Sequence, residues 1–349
     1  MLAAAIISSS YKYIKQILLS GGSSDISLWF YSRNGYSLLS SVNPTTAGSG
    51  ITLNSAKTNY ISSGPFTPYL EARPISASFQ IGSAYTSAAT TPTSSPVDTK
   101  FSPDGSVFFY VQLASTPIYS AYTFSSGFGT RYAAPASFLS TPNNGSWHPT
   151  GNALGFANGT SIAGASATYA WTYAGGWGSQ YTAPASFTGI TDSRVSFSPL
   201  GNVVAYSSKA APVVTVYPFT TASGFGTKYS APVTAGPINT QTIFWNPAGT
   251  VVAGIGSTSP YIWAYPFTYA SGFGTKYADP VTAWTIQSNS SPGSFDATGL
   301  LISGQGSTAS GSWQVYDWTD SDGFGVKVAS ASSGSSGNPS SSDQNYALV

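Results

Sequence analysis

A Gly-aromatic-Gly triplet recurs along the 349-residue chain at a nearly constant interval, and this interval constrains the fold more than any other feature. Successive clear copies of its aromatic residue are 49, 48, 48 and 51 residues apart. These five residues are Phe128, Trp177, Phe225, Phe273 and Phe324. The surroundings repeat as well, since YPFTTASGFGTKYSAPVT begins at Tyr217 and YPFTYASGFGTKYADPVT at Tyr265. Such a period predicts an array of equivalent structural units.

Two less regular units precede these five copies. The segment YLEARPISASFQIGSAYTSAATTP aligns with the later units and places Ile81 at the aromatic position. Tyr36, in SLWFYSRNGYS, takes that position one step earlier. The differences of 45 and 47 residues complete a run of seven units, so we expect residues 1–349 to form a single domain.

A second landmark keeps step with the first. Each unit carries a turn of the aromatic-x-Pro-x-Gly type followed by a short apolar run. The copies are FSPDG at 101–105, WHPTG at 147–151, FSPLG at 197–201, WNPAG at 245–249 and FDATG at 295–299, with a weaker copy from Leu53. Because two landmarks share one phase, the repeat does not depend on either alone.

Within a unit, four runs rich in Val, Ile, Tyr, Phe and Trp are separated by Gly, Pro, Ser and Asn, which is typical of strands and turns. A four-stranded unit of this size cannot bury both faces by itself, so the units must stack. The sequence therefore predicts an all-β fold, a seven-bladed β-propeller with four antiparallel strands per blade. The glycines of the triplet permit positive φ, so we expect its five aromatic residues to anchor turns between neighbouring sheets.

The repeat also resembles known families. FSPDG and the aromatic-rich strand that follows resemble WD-repeat-like propellers, although the Gly-His and Trp-Asp dipeptides of true WD repeats are absent. The hydrogen-bond network of those repeats should therefore be absent too. The pattern SPYIWAYPFTYASGFGTKYADPVT is similar to repeats of propeller proteins encoded by tailed bacteriophages. This resemblance implies a propeller fold and a protein of the phage particle.

Ring closure is expected to involve a chain terminus. Residues 330–343, SASSGSSGNPSSSD, have the composition of a flexible linker. By the repeat spacing, residues 346–349 fall where another innermost strand would begin, so we expect them to dock on the first blade. The N-terminal AAAIISSS is the alternative closing segment.

Composition excludes several functions. Charged residues are 7% of the chain, against about 25% in typical globular proteins, so the surface must be mostly neutral and polar. The 12 basic and 11 acidic residues are dispersed, which disfavours nucleic-acid binding. No apolar run reaches the roughly 18 residues of a membrane span. The N-terminal apolar patch is not preceded by a basic residue, so it matches a secretory signal poorly. The absence of cysteine excludes disulfides and thiolate chemistry.

Groups suited to catalysis are scarce. The chain has one His, His148, and one Glu, Glu71. His148 occupies a turn position that is Ser or Asn in other units, which indicates a turn residue. Asp104 and Asp296 lie in equivalent turns, and Asp279 replaces an alanine of the repeat. We therefore predict no catalytic residues, no cofactor and no enzymatic activity.

One acidic cluster and the aromatic residues are the remaining candidates for binding. Asp317, Asp320 and Asp322 precede Gly323 and form a weak candidate for a calcium-type site, because the later bidentate Glu is missing. A solvated turn is the preferred interpretation. Aromatic residues are 15% of the chain, and exposed Tyr or Trp edged by hydroxyl side chains would suit sugars or protein surfaces.

These features favour a non-enzymatic structural or binding protein of a tailed-phage virion, made in the host cytoplasm and displayed on the tail or the head. The expected partners are other virion proteins and host cell-surface glycans. A cellular propeller acting as a scaffold or surface adhesin is the alternative, and a glycan-cleaving enzyme is the third hypothesis.

Overall fold

The structure is a computed structural model, which describes part of the chain. The described residues are 16–21, 26–32, 35–42, 50–63, 68–78, 80–88, 92–94, 96–112, 118–135, 142–158, 166–184, 194–209, 211–283, 293–296, 298–299, 301–305 and 312–332. All regular secondary structure in these residues is β-structure, which confirms the all-β prediction. The described strands form seven antiparallel sheets, numbered here in chain order.

The first two sheets have three described strands each. Sheet 1 consists of β1 (Gln16–Gly21), β2 (Ile26–Ser32) and β3 (Gly35–Val42). Sheet 2 consists of β4 (Gly50–Leu53), β5 (Asn59–Ser63) and β6 (Leu70–Pro74). In sheet 2, the place of a fourth strand holds a single bridge between Ile75 and Ile81. The prediction of four strands per unit is therefore not met by the described parts of these two units.

Sheets 3 to 7 have four strands each, as predicted. Sheet 3 contains β7 (Pro96–Phe101), β8 (Val107–Gln112), β9 (Tyr119–Phe124) and β10 (Phe128–Arg131). Sheet 4 contains β11 (Pro142–Trp147), β12 (Ala153–Asn158), β13 (Ser166–Thr172) and β14 (Gly176–Gln180). Sheet 5 contains β15 (Val195–Phe197), β16 (Val203–Ser207), β17 (Val214–Thr220) and β18 (Gly224–Phe225).

Sheet 6 contains β19 (Thr240–Trp245), β20 (Val251–Gly256), β21 (Ile262–Thr268) and β22 (Gly272–Phe273). Sheet 7 contains β23 (Gly293–Phe295), β24 (Leu301–Gln305), β25 (Ser312–Thr319) and β26 (Gly323–Ser332). Each strand pairs with the strand that follows it in its own sheet. The first strands of successive sheets lie side by side, so the sheets are arranged around their first strands.

Both sequence landmarks lie in tight turns at the same end of the sheets. The FSPDG-type landmark joins the first strand to the second, and its glycine has a φ between +70° and +74° in sheets 3 to 7. The amide of that glycine donates to the carbonyl three residues earlier, as Gly249 does to Asn246 at 2.9 Å. In sheet 2 the same place holds Lys57, with φ of +59°. This is a conformation that glycine adopts far more readily than lysine.

The core lies between the sheets. At four of the described interfaces, the face turned to the preceding sheet is largely aromatic, whereas the face that meets it carries mostly small and aliphatic side chains. Between sheets 3 and 4, sheet 3 also contributes the aromatic Phe109 and Tyr119. The interface of sheets 6 and 7 is formed chiefly by Val251, Ala253, Ile255, Ile262 and Ala264 from sheet 6 and by Phe295, Ile302, Tyr316 and Trp318 from sheet 7. The interfaces of sheets 2 and 3, 4 and 5, and 5 and 6 show the same division. Large rings therefore fill the space that small side chains leave on the neighbouring sheet.

Proline limits how far the fourth strand can continue. In sheets 3 to 6 a proline lies seven residues after the triplet's aromatic residue, as Pro232 does after Phe225. Proline cannot donate to a strand ladder, and β18 and β22 are two residues long. In sheet 7 the corresponding residue is Ala331, and β26 runs for ten residues.

The end of β26 bears on the predicted C-terminal linker. Because β26 extends to Ser332, the first three residues of the segment 330–343 belong to a strand. The other residues of that linker lie outside the described residues. So do the proposed closing strand at 346–349 and the N-terminal segment that was its alternative.

Candidate functional site

The aromatic residues of the triplets lie at the start of the fourth strand. Each is half-buried and meets the edge of an aromatic ring on the third strand of its own sheet, with ring centroids 5.1 to 6.0 Å apart. These five residues are Phe128, Trp177, Phe225, Phe273 and Phe324. They pack against the core between their own sheet and the preceding one.

His148 lies in a turn of sheet 4 and contacts sheet 5. Its Nε2 lies 2.9 Å from the carbonyl oxygen of Gly201, which can only accept a hydrogen bond, so Nε2 carries the proton. Its Nδ1 lies 2.8 Å from the Thr150 hydroxyl and accepts from the Thr150 amide at 3.3 Å. Burial lowers the pKa of His148, and the hydrogen bond to Gly201 opposes that shift. The neutral imidazole thus joins two sheets.

Glu71 forms a buried ion pair on sheet 2. Its Oε1 lies 2.5 Å from Nε of Arg73, and Nη1 of Arg73 donates to the carbonyl of Gly82 at 3.2 Å. Tyr60 and Glu71 lie on the same face of sheet 2. Ile61 and Ala72, which are paired with each other on the opposite face, pack towards sheet 3. Tyr60 and Glu71 therefore face away from sheet 3. Burial raises the pKa of Tyr60. The only Glu of the chain is therefore held by a cation within the fold.

A second set of polar contacts joins the first strands of sheets 3, 4 and 5. Oδ2 of Asp98 accepts from the amide of Gly145 at 2.8 Å, and Nζ of Lys100 donates to the carbonyl of Gly145 at 2.8 Å. One sheet further, Oδ1 of Asn144 accepts from the amide of Val195 at 2.6 Å. Side chains at this position thus satisfy backbone groups on the open edge of the next first strand.

The other acidic residues singled out in the sequence are held locally. Asp104 accepts from the hydroxyls of Ser102 and Ser106, both at 2.7 Å. Burial acts to raise the pKa of Asp104, but these hydrogen bonds outweigh it and the pKa is lowered. Asp296 accepts from the Thr298 hydroxyl within its turn. Asp279, at the surface, lies 2.5 Å from Nζ of Lys276.

The Asp317, Asp320 and Asp322 group does not converge on one point. Oδ2 of Asp320 accepts from Nδ2 of Asn246 and from the Thr250 hydroxyl, each at 3.0 Å, so it links sheet 7 to a turn of sheet 6. Its Oδ1 accepts from Nε1 of Trp318 at 2.8 Å. Asp322 accepts from hydroxyls of its own turn, and Asp317 lies within β25. Across the described residues, no three His, Cys, Asp or Glu side chains come together as a metal site would require.

A tyrosine clasp, defined as the Tyr four residues after the triplet's aromatic residue, joins successive sheets and was missed at the sequence level. The hydroxyl of Tyr229 donates to the carbonyl of Tyr269 in sheet 6 at 2.7 Å, and its ring meets Phe267 edge-on with centroids 5.1 Å apart. The ring also covers Gly272, where a Cβ would come within 3.0 Å of it. The four clasp residues with these contacts are Tyr132, Tyr181, Tyr229 and Tyr277.

The clasp had a sequence signal, because Tyr recurs at that position in units 2 to 6. The last unit has Val328 there and the first has Ser40. Sequence inspection could have identified the recurrence. The acceptor, a backbone carbonyl in the next unit, has no sequence signature.

A groove lies at the outer edge of sheet 5. Its volume is about 220 Å³. One wall is the start of the third strand, with Pro212, Val214 and Thr215. The other is the segment 228–231 that follows β18. The groove thus presents strand backbone and the small side chains of Ser230 and Ala231, beside the larger Lys228 and Tyr229.

The loops beyond this groove expose single apolar residues. Val233 and Val281, in equivalent loops of sheets 5 and 6, are fully exposed. Leu200 and Tyr269, at the opposite end of the sheets, are mostly exposed. The part of the chain that is described contains no helix able to cross a membrane. These exposed positions provide neutral contact surface. His148 and Asp320, in contrast, are bonded to a neighbouring sheet.

Solved structures with the same fold come from several organisms. A functionally unknown protein of Desulfotomaculum acetoxidans is 13% identical with a TM-score of 0.70, over 93% of this chain and 98% of that one. A Bacteroides uniformis protein provisionally named a 6-phosphogluconolactonase is 13% identical with a TM-score of 0.65, over 91% and 99%. The propeller of Dos1 is 13% identical with a TM-score of 0.55, over 83% and 73%.

At these identities the similarity concerns the fold alone. No model of a known protein family matches the chain, and no curated protein matches it. Together with the repeated four-stranded sheets, the structural similarity shows that the chain is a β-propeller repeat protein.

Proposed function

We propose that the chain is a closed seven-bladed propeller and acts as a non-enzymatic structural and binding protein of a tailed-phage particle. Seven repeat units and seven described sheets support the blade number. Burial on the far face of sheet 7 supports closure. Val315, which alternates with Tyr316 and so faces away from sheet 6, is 4% exposed.

The observation that carries the non-enzymatic role is that the candidate ionisable side chains are bonded to other groups within the fold. His148 contacts the backbone of the next sheet, Glu71 is paired with Arg73, and Asp320 holds a turn of the preceding sheet. A general acid or base must reach a substrate proton, and these groups are already engaged within the fold. What remains for contact with partners is a surface rich in hydroxyl, amide, aromatic and aliphatic groups, with a few exposed charges such as Lys57 and Lys228.

The phage setting rests on the resemblance of the repeats and on composition. A neutral, stacked propeller suits a particle component, because it offers a broad polar surface with few charges that depend on salt. Other virion proteins would be the permanent partners. Host glycans would be transient ones, stacking on exposed aromatic rings.

Particles purified by density gradient from a lysate carrying the gene provide the test. We expect the protein to co-purify with particles and antibody labelling to place it on the tail or the head. Labelling at the tail tip would support host attachment, and labelling over the head would support decoration. If the protein is absent from particles, the phage proposal is wrong and a cellular scaffold or adhesin becomes the better interpretation.

An enzymatic role is tested separately. The purified chain is assayed for hydrolysis of host polysaccharide and, because of the name of one similar structure, of 6-phosphogluconolactone. We expect no turnover above the rate without protein. Turnover that disappears in a Glu71→Gln or His148→Asn variant that remains folded would overturn the non-enzymatic proposal.

A further inference from the structure

The outer edge of sheet 5 differs from an ordinary covered strand. β18 pairs only with the end of β17, at Phe219 and Thr220. Beyond it the chain stays beside β17 as far as Tyr229, whose amide donates to the carbonyl of Val216 at 3.0 Å. It then leaves the sheet ahead of Pro232, and the groove opens there.

Both walls of the groove are fixed by contacts with the rest of the fold. The Tyr229 hydroxyl is bound to the carbonyl of Tyr269, and the Tyr265 hydroxyl donates to the carbonyl of Thr234 at 2.6 Å. These bonds hold the departing segment against sheet 6. The strand wall is secured because Thr215 pairs with Tyr206 of β16. The groove is therefore a preformed feature and needs no rearrangement to accept a ligand.

Val214 presents backbone groups to this groove. In an antiparallel strand, alternate residues direct their amide and carbonyl to opposite sides. Val213 accepts from Ser208 on the β16 side, so Val214 faces outward. Because Val214 itself lines the groove, the Val214 amide borders it. The equivalent amide in sheet 6, that of Ile262, donates to the carbonyl of Pro260 at 2.8 Å.

Sheet 7 shows what fits such an edge. There β26 continues along β25, and Ala329, Ser330, Ala331 and Ser332 lie opposite Val315, Gln314, Trp313 and Ser312. By position along the third strand, Trp313 of sheet 7 corresponds to Val214 of sheet 5. Ala331 lies opposite Trp313, so it marks the position beside Val214 that the groove occupies in sheet 5. The covering strand is uncharged and small at these four positions.

We propose that the sheet 5 groove binds an extended segment of a partner protein, which adds antiparallel to β17 as an outer strand. Its main-chain groups would pair with the amide and carbonyl of Val214, and its side chains would be small and uncharged, such as Ala and Ser. Strand addition of this kind takes affinity from main-chain hydrogen bonds and selectivity from the size of the adjoining pocket. The proposal does not depend on the phage setting.

A synthetic peptide with the sequence ASASSGS, copied from residues 329–335, is the probe, because residues before 329 correspond to the segment that already lies beside β17. We expect saturable binding by fluorescence anisotropy to the full chain. N-methylation at the alanine that corresponds to Ala331 should weaken binding at least tenfold, because that amide would donate to Val214. N-methylation at the preceding serine should leave binding unchanged, because its amide points away from β17. Equal effects of both modifications would contradict the proposal.

Two protein variants locate the site. Ser230→Trp fills the groove of sheet 5 and should abolish binding. Ala278→Trp makes the equivalent change in sheet 6, where the edge amide is already bonded, and should leave binding intact. Because both residues are exposed, both variants should melt at the wild-type temperature. Hydrogen exchange at the Val214 amide gives a second readout and should slow when the peptide is bound.

Several outcomes would overturn the inference. No saturable binding, or binding unaffected by Ser230→Trp, would show that the groove is not a strand site. Concentration-dependent dimerisation that Ser230→Trp abolishes would identify a second copy of the chain as the occupant and would also refute a partner peptide.

Discussion

At the scale of single residues, one turn position shows how local geometry selects an amino acid. The last residue of the turn between first and second strands has positive φ in sheets 2 to 7. Five sheets place glycine there, whereas sheet 2 places Lys57. The side chain of Lys57 is exposed, so its conformation follows from the turn and not from packing.

Replacing Lys57 with Gly should stabilise the protein by about 1 kcal/mol, because the left-handed conformation is unfavourable for residues with a Cβ. Scanning calorimetry at neutral pH would measure the shift in Tm. The matched control is Gly249→Ala, which imposes the same conformation on a residue with a Cβ and should lower Tm. A lower Tm for Lys57→Gly would show that the lysine has a stabilising contact.

His148 should make stability depend on pH below about 6.5. Burial lowers its pKa from the usual 6.5, so the folded protein favours the neutral ring more than the unfolded chain does. The contribution is therefore present above about pH 6.5 and is lost as the pH falls towards the lowered folded pKa. In His148→Asn, which has the residue of the same slot in sheet 6, the change in Tm between pH 7.5 and 5.5 should shrink. An unchanged difference would assign the dependence to carboxylates.

At the scale of structural elements, hydrogen bonds between neighbouring sheets supplement the apolar core. The tyrosine clasp combines edge-to-face ring packing with a hydroxyl bonded to a backbone carbonyl. Burial raises the pKa of Tyr132, Tyr181, Tyr229 and Tyr277, as expected for phenols held neutral at an interface. The first unit has Ser40 and the last has Val328 at this position, so neither carries the tyrosine of the clasp.

Tyr229→Phe should lower the free energy of unfolding by about 1 kcal/mol, because it removes the hydroxyl and leaves the Tyr269 carbonyl without that donor. Tyr269→Phe is the control, since it removes a hydroxyl from an exposed ring and retains the carbonyl. Denaturant unfolding of the two variants measures the difference. Equal effects would mean that the ring, and not its hydroxyl, holds the interface.

The length of β26 should depend on the absence of proline. Ala331→Pro removes an amide that faces β25 and should cost about 1 to 2 kcal/mol. Ser330→Pro places proline where the amide faces away from the sheet and should cost less. Hydrogen exchange over residues 312–332 would report fraying in the first variant only. Similar exchange in both variants would argue against the assigned hydrogen-bond pattern.

At the scale of the whole molecule, the unlike faces that meet between sheets give the array a direction. At most of the described interfaces an aromatic face packs against an aliphatic one. Removing a sheet at one end therefore exposes an apolar face that is buried in the intact array. Stability in such arrays comes largely from nearest-neighbour interfaces.

A six-unit fragment ending before Gly293 should therefore fail to form a well-packed fold. It would expose the sheet 6 face that contains Val251, Ile255 and Ile262. We expect aggregation or a molten state, seen as dye binding and a broad thermal transition. A soluble fragment that unfolds cooperatively would contradict the closed seven-unit ring.

The sequence alone was sufficient for those features that depend on neighbours in the chain. The repeat period, the Gly and Pro turns and the short β-branched runs determine where strands begin and end, because these preferences act over a few residues. The long β26 likewise agrees with Ala331, which stands where sheets 3 to 6 have proline. The two less regular units at the start of the chain were also recognisable, because their copies of the landmarks match the other copies poorly.

Only the tertiary structure decided which distant groups meet. The partner of His148 is a carbonyl 53 residues away, and the clasp acceptors are carbonyls that lie 40 to 43 residues further along the chain. Backbone carbonyls occur at every position, so no sequence pattern marks the one that is bound. The groove beside Val214 arises from the path of the departing segment, which contacts with sheet 6 determine. Local preferences set the strands, whereas the relative placement of successive sheets set the sites.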